Sequence, residues 1–168
     1  MSNEFDTLRP HATKVVSVGD QQAEIDVELA PLIEQMWRVG ISTMMCCQET
    51  DPGIAWIEFD SVEDLMKFLN LVVPYDPNPE SLYSRVNWQR TAVDPADCWE
   101  FQFNLLDILK DQQEQTKDGF SHFMPTVGVY FPRSDIREIY ERLETYWNYE
   151  RLTGRAVKEQ DVFTGDGE

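Results

Sequence analysis

The chain has 168 residues, 42% hydrophobic and 27% charged, with a formal net charge of −17 at pH 7. That length suits one well-formed core and is short for two. No apolar run is long enough to span a membrane, and so much negative charge disfavours direct contact with nucleic-acid phosphates or an anionic membrane surface.

The charge is uneven. Asp20 to Asp64 holds eleven acidic residues and one basic residue, Arg38, whereas Arg133 to Lys158 holds six basic and five acidic. The negative field therefore belongs mostly to the first half. The opening "MSNEFDTLRPHATK" lacks the apolar segment of a secretory signal. Three cysteines make no disulfide framework, which fits a reducing, cytoplasmic setting.

In chain order, residues 1–13 read as an irregular N-terminus. "KVVSV-GD-QQAEI" reads as two short strands around a Gly19-Asp20 turn. Asp26 is placed to cap a helix, with Glu28 in its first turn. Leu29, Leu32, Ile33, Met36 and Trp37 then fall on one helical stripe, and Gly40 stops the helix. Ile41 to Cys47 and Ile54 to Phe59 read as strands joined by the turn-rich "QETDPG". Ser61 caps the next helix with Asp64 three residues on, and that helix ends at Pro74.

"SRVNWQRTAV" alternates like a strand around Val86 and Trp88. "WEFQFN" is the clearest strand, with Trp99, Phe101 and Phe103 on one face. Its continuation through "LLDIL" is either more strand or a short helix. "KDQQEQTKDG" is a polar loop and "TVGVYF" another strand. Ser134 is placed to cap the last helix, whose apolar face is Ile136, Ile139, Tyr140, Leu143 and Trp147. Residues 156–168 read as a loose acidic tail. The expected fold is α+β: one domain over residues 14–155, with a single largely antiparallel sheet and about three helices on one face.

The adjacent cysteines Cys46 and Cys47 are the most distinctive chemical feature. On a strand they point to opposite faces, so they do not grip one metal ion together. Zinc sites usually space paired cysteines by about two to four residues and need four ligands. The other soft ligands, Cys98, His11 and His122, form no second pair, so no metal and no cofactor are expected. A nucleophilic thiol needs a histidine or a helix N-terminus to lower its pKa, and the near neighbours Glu49 and Asp51 work the other way. Glycine-rich phosphate loops and hydrolase motifs are absent from the sequence.

Three stretches carry a resemblance: "IDVELAPLIEQMWRVGISTMMCCQE", "AWIEF" and "VYFPRSDI". Together they resemble a family of small uncharacterised bacterial and phage-borne proteins. In these a helix runs through a Gly-Ile-x-Thr turn into a strand ending Cys-Gln, and a Phe-Pro-Arg-Ser-Asp-Ile segment opens a final helix. The resemblance implies a small α+β domain and no established activity. The matching polar positions are Thr43, Cys47, Gln48, Arg133 and Asp135.

The expected function is that of a non-enzymatic accessory protein that binds a protein or small-molecule partner. The alternatives are an enzyme using a cysteine at the end of the 41–47 strand, and an acidic DNA mimic or charge-driven inhibitor. No catalytic residue is assigned. The candidate binding residues are Cys47, Gln48, Trp56, Arg133 and Asp135. Cys47-Gln48 and Arg133-Asp135 are expected at one edge of the sheet, with Arg133 drawn toward Glu49 or Asp51 and Trp56 as an apolar wall.

Overall fold

The structure, a computed structural model, describes residues 11–86, 97–107 and 123–154. The N-terminal residues 1–10, Trp88, the "KDQQEQTKDG" loop, His122 and the C-terminal tail lie outside them. The described chain is α+β. Strands β1 (Thr13–Val18) and β2 (Gln21–Asp26) form a hairpin, followed by α1 (Ala30–Arg38), β3 (Thr43–Asp51), β4 (Ile54–Phe59) and α2 (Val62–Val72). A short α3 (Leu82–Val86) precedes β5 (Glu100–Asp107) and β6 (Phe123–Pro132). A 3-10 turn (Arg133–Asp135) then leads into α4 (Ile136–Thr153).

The expectation of a single sheet is corrected. Among the described residues there are two antiparallel sheets, the β1-β2 ribbon and a four-stranded sheet ordered β3-β4-β6-β5. Where the ribbon meets β3, the contact is made through a side chain and not through a backbone ladder. The Gln48 backbone N–H donates to the Asp26 carboxylate at 2.9 Å, where a continuous sheet would use a carbonyl. The ribbon instead turns Val16 and Ile25 into the core shared with α1.

That core lies on one face of the larger sheet. Ala55, Ile57 and Phe59 of β4 and Val127, Val129 and Phe131 of β6 point inward in register. Against them pack Leu32, Ile33 and Met36 of α1, Leu65 and Phe68 of α2, and Ile139 and Leu143 of α4. The stripes read from helical periodicity in α1 and α4 are thus the faces that turn to the core, whereas in α2 Leu65, Phe68 and Val72 are buried and Val62 and Met66 are exposed. Phe68 lies 5.2 Å from Phe59 and 6.2 Å from Trp99 between ring centroids. Trp99 is fully buried, but Phe101 and Phe103 on the same side of β5 remain exposed. The strand continues paired through Leu106 and Asp107, which decides for strand over helix there.

Local signals fare unequally. Gly40, at φ 71°, takes the left-handed conformation that ends α1. Ser61 Oγ accepts from the Asp64 N–H at 3.1 Å and caps α2, while the Asp64 carboxylate receives the Ser42 N–H at 2.8 Å. The Arg142 guanidinium covers the Val72 carbonyl at the other end of α2, at 2.6 Å. Val86 lies in helix α3, where a strand was expected. Its turn is closed by Ser84 Oγ donating to the Asn78 carbonyl at 2.7 Å and by Ser81 Oγ accepting from the Ser84 N–H at 3.2 Å. Neither Asp26 nor Ser134 caps a helix. Leu29 precedes α1 with no side-chain cap, and α4 starts from the 3-10 turn after Asp135. No helix among the described residues is long and apolar enough to cross a membrane.

Candidate functional site

The site lies where the ribbon meets β3. Thr13 pairs with Asp26 at the open end of the hairpin, so His11, just before β1, comes beside the Asp26 side chain. His11 Nδ1 lies 3.1 Å from Asp26 Oδ2. β3 runs past the same point. Cys47 pairs with Trp56, after which the register slips before Asp51. Such a break in register locally disrupts the ladder beyond Cys47. Cys47 Sγ comes to 3.8 Å from His11 Nδ1. Ligand atoms of His11, Asp26 and Cys47 all fall within 4.8 Å of one another.

Cys46 and Cys47 do face opposite ways, as alternation requires. Cys46 packs against the core and Cys47 turns to the ribbon, each only partly buried. Burial raises both thiols, Cys46 to about 12, with Asp26 adding in each case. A hydrogen bond with the Glu49 backbone offsets part of the effect on Cys47. A Cys-His-Asp relay needs both imidazole nitrogens, one as base toward sulfur and one bonded to the carboxylate. Here Nδ1 meets both partners. If that nitrogen donates its proton to Asp26, it has no lone pair for the thiol. With the proton on Nδ1, the arrangement supplies no activated nucleophile.

From Cys47 a chain of contacts leads to the late helix. The Gln48 amide oxygen accepts the Glu28 N–H at 3.0 Å, so Gln48 secures the turn before α1 where Asp26 had been expected to act. The Glu28 carboxylate in turn receives Arg133, through Nε at 2.6 Å and through Nη2. Arg133 Nη1 reaches Glu49 at 3.2 Å, and the Arg133 N–H donates to the Gly53 carbonyl at 2.8 Å. Gly53, at φ 80°, takes the positive angle that the β3-β4 turn requires. The Gly53 N–H, and beyond it Arg133, hold the Glu49 carboxyl below its ordinary value. Gln48 and Arg133 therefore lie at one end of the sheet, joined through Glu28. A groove of about 540 Å³ opens beside them between α1 and α4, lined in part by Leu32, Arg133, Ser134 and Tyr140.

Two other candidates lie elsewhere. The Asp135 side chain turns inward, where it accepts two bonds from Arg85 Nη1 at 2.6 Å and one from Trp99 Nε1 at 2.9 Å. It anchors α3 and β5 rather than lining the groove. Trp56 points to the sheet face away from the core, 6.1 Å from Tyr130. A Cβ on Gly128 would stand 2.8 Å from the indole nitrogen, so glycine there makes room for the ring. Trp56 neighbours Cys47 across the strands but is not a wall of the Arg133 groove. The reading of the residues missed Asp26 and Glu28 as site members and counted His11 only as a scattered ligand. Their signal was present only as a histidine before one strand and an acid at the end of its hairpin partner.

The geometry defines an α+β protein with a polar cluster at the junction of two antiparallel sheets. The chain is 33% identical over 128 residues to an uncharacterized protein of Acanthamoeba polyphaga mimivirus. The alignment covers 73% of this chain and 62% of the relative. No family model matches the chain, and no solved structure matches it.

Proposed function

We propose that this is a non-catalytic binding protein that holds a small molecule in the groove beside Gln48 and Arg133. The observation that carries the reading is Arg133 in the wall of that groove, braced by Glu28 beside it and by Glu49 behind it, with Gln48 holding the Glu28 N–H. Side chains held by several partners are preorganised to receive a ligand at little ordering cost. A volume of about 540 Å³ falls within the range of small-molecule sites. The lining suits a ligand with an apolar body against Leu32 and Tyr140 and a polar end toward Arg133 and Ser134. The raised thiol of Cys47 and the doubly engaged His11 nitrogen speak against the cysteine-enzyme alternative.

A fragment library titrated into isotope-labelled protein tests this by NMR. The expected result is a set of hits that shift the Leu32, Arg133 and Tyr140 resonances together and lose affinity in Arg133→Ala. Hits confined to other surfaces would contradict the proposed seat. Turnover of any bound compound that disappears in Cys47→Ser would contradict the non-catalytic reading.

A further inference from the structure

The three residues at the ribbon–sheet junction have a property that the binding reading does not use: their donor atoms converge on one point. Both short contacts of His11 fall on the same ring nitrogen, 3.1 Å to Asp26 Oδ2 and 3.8 Å to Cys47 Sγ. A proton relay cannot use that arrangement, but a metal ion can. Tetrahedral zinc with bonds of about 2.0–2.1 Å to nitrogen and oxygen and about 2.3 Å to sulfur separates its N and O ligands by about 3.3 Å and its N and S ligands by about 3.6 Å. The observed separations lie within a few tenths of an ångström of both. We propose that His11 Nδ1, Asp26 Oδ2 and Cys47 Sγ form a three-ligand site for a zinc-class divalent cation, with its remaining position open to water or a ligand atom.

Two features support the site. The Asp26 oxygen is oriented from behind by the Gln48 backbone N–H at 2.9 Å, as carboxylate ligands usually are. The His11 and Asp26 side chains remain 16% and 14% exposed, so an ion has a way in. A mixed nitrogen, oxygen and sulfur set favours zinc or cobalt over magnesium and calcium, which take oxygen ligands. On binding, Sγ gives its proton to solvent and bonds the metal as thiolate. The imidazole keeps its one proton on Nε2, freeing the Nδ1 lone pair. Affinity therefore falls as pH is lowered. The ligands come from before β1, from the end of β2 and from β3, so the ion would staple the ribbon to the larger sheet.

Cobalt(II) titrated into the full chain after chelator treatment tests the site, with zinc as competitor. One equivalent is expected to raise a thiolate-to-cobalt charge-transfer band, to be displaced by zinc and to raise the thermal midpoint. Cys47→Ser is expected to abolish the band and Cys46→Ser to keep it. His11→Ala and Asp26→Asn are each expected to weaken binding by at least about tenfold, as loss of a site's supporting groups commonly does, with an unchanged far-ultraviolet dichroism spectrum as the check on folding. Failure of the wild-type chain to bind one equivalent overturns the proposal. So does a band that survives Cys47→Ser, or an affinity indifferent to both His11→Ala and Asp26→Asn.

Discussion

Asp135→Ala is expected to lower the free energy of unfolding by about 3–5 kcal/mol, the range for breaking a buried ion pair by removing one partner. The Asp135 side chain is 5% exposed and that of Arg85 14%. Without the carboxylate, the guanidinium is left in a poorly solvated place, and the Trp99 indole N–H loses the 2.9 Å acceptor it has in the carboxylate. The cost is therefore dominated by what remains behind rather than by the bond removed. Asp135→Asn is expected to cost less, because its amide oxygen still accepts from Trp99. Urea denaturation measures both, as a shift in midpoint at unchanged slope. A loss under about 1 kcal/mol, the scale of a surface pair, would show that Asp135 does not anchor α3 and β5 to the last helix.

The second large effect is a loss of stability in alkali that belongs to Cys46. Burial, then Asp26 and Cys47, push this thiol from 9.0 up to about 12. The folded state thus prefers the neutral thiol, while the unfolded chain releases the proton near the ordinary value. The contribution to stability is complete below about pH 9 and is lost as pH rises toward about 12. At about 1.4 kcal/mol per pH unit, the loss across that window is on the order of 4 kcal/mol. Tyr130 and Tyr140 are also raised, so the diagnostic quantity is the difference between wild type and Cys46→Ala. Urea denaturation through that window is expected to show the variant's profile falling less steeply. Parallel profiles would mean that the Cys46 thiol ionises in the folded state as readily as in the unfolded one.

How much of this was legible in the sequence depends on the range of the forces involved. The stripes of α1 and α4 follow from helical period, and the Ser61 cap from a neighbour three residues away. These are local effects, and local reading finds them. The cap assigned to Asp26 failed because a capping side chain is also a good long-range acceptor, and tertiary partners can outcompete the helix end; Ser134 falls inside the 3-10 turn, one residue too early to precede α4. Asp26 went to His11 and to Gln48, 15 and 22 residues away. The separate ribbon was unreadable for the same reason: alternation identifies a strand without saying which strand lies beside it. Val86 was misread because Ser81, Ser84 and Asn78 close a helical turn that a hydrophobic count does not see. The meeting of Gln48 and Arg133 could be anticipated from Glu49, which neighbours Gln48 and attracts the arginine, although the bridging Glu28 was missed. The convergence of His11, Asp26 and Cys47 could not, because ligand spacing along the chain says nothing about three distant segments meeting at one point.

The account rests most directly on the state of Cys47, which lies beside a histidine and a carboxylate yet is held as an unactivated thiol. The rate of its alkylation by iodoacetamide, followed against pH in chelator-treated Cys46→Ser/Cys98→Ser protein and again with His11→Ala added, measures that state. The expected result is a rate that is low at neutral pH, rises only above the ordinary thiol value of 9.0, and changes little when His11 is removed. A fast plateau at neutral pH that collapses in the His11→Ala variant would reveal a thiolate–imidazolium pair, and with it a reactive site in place of a binding one.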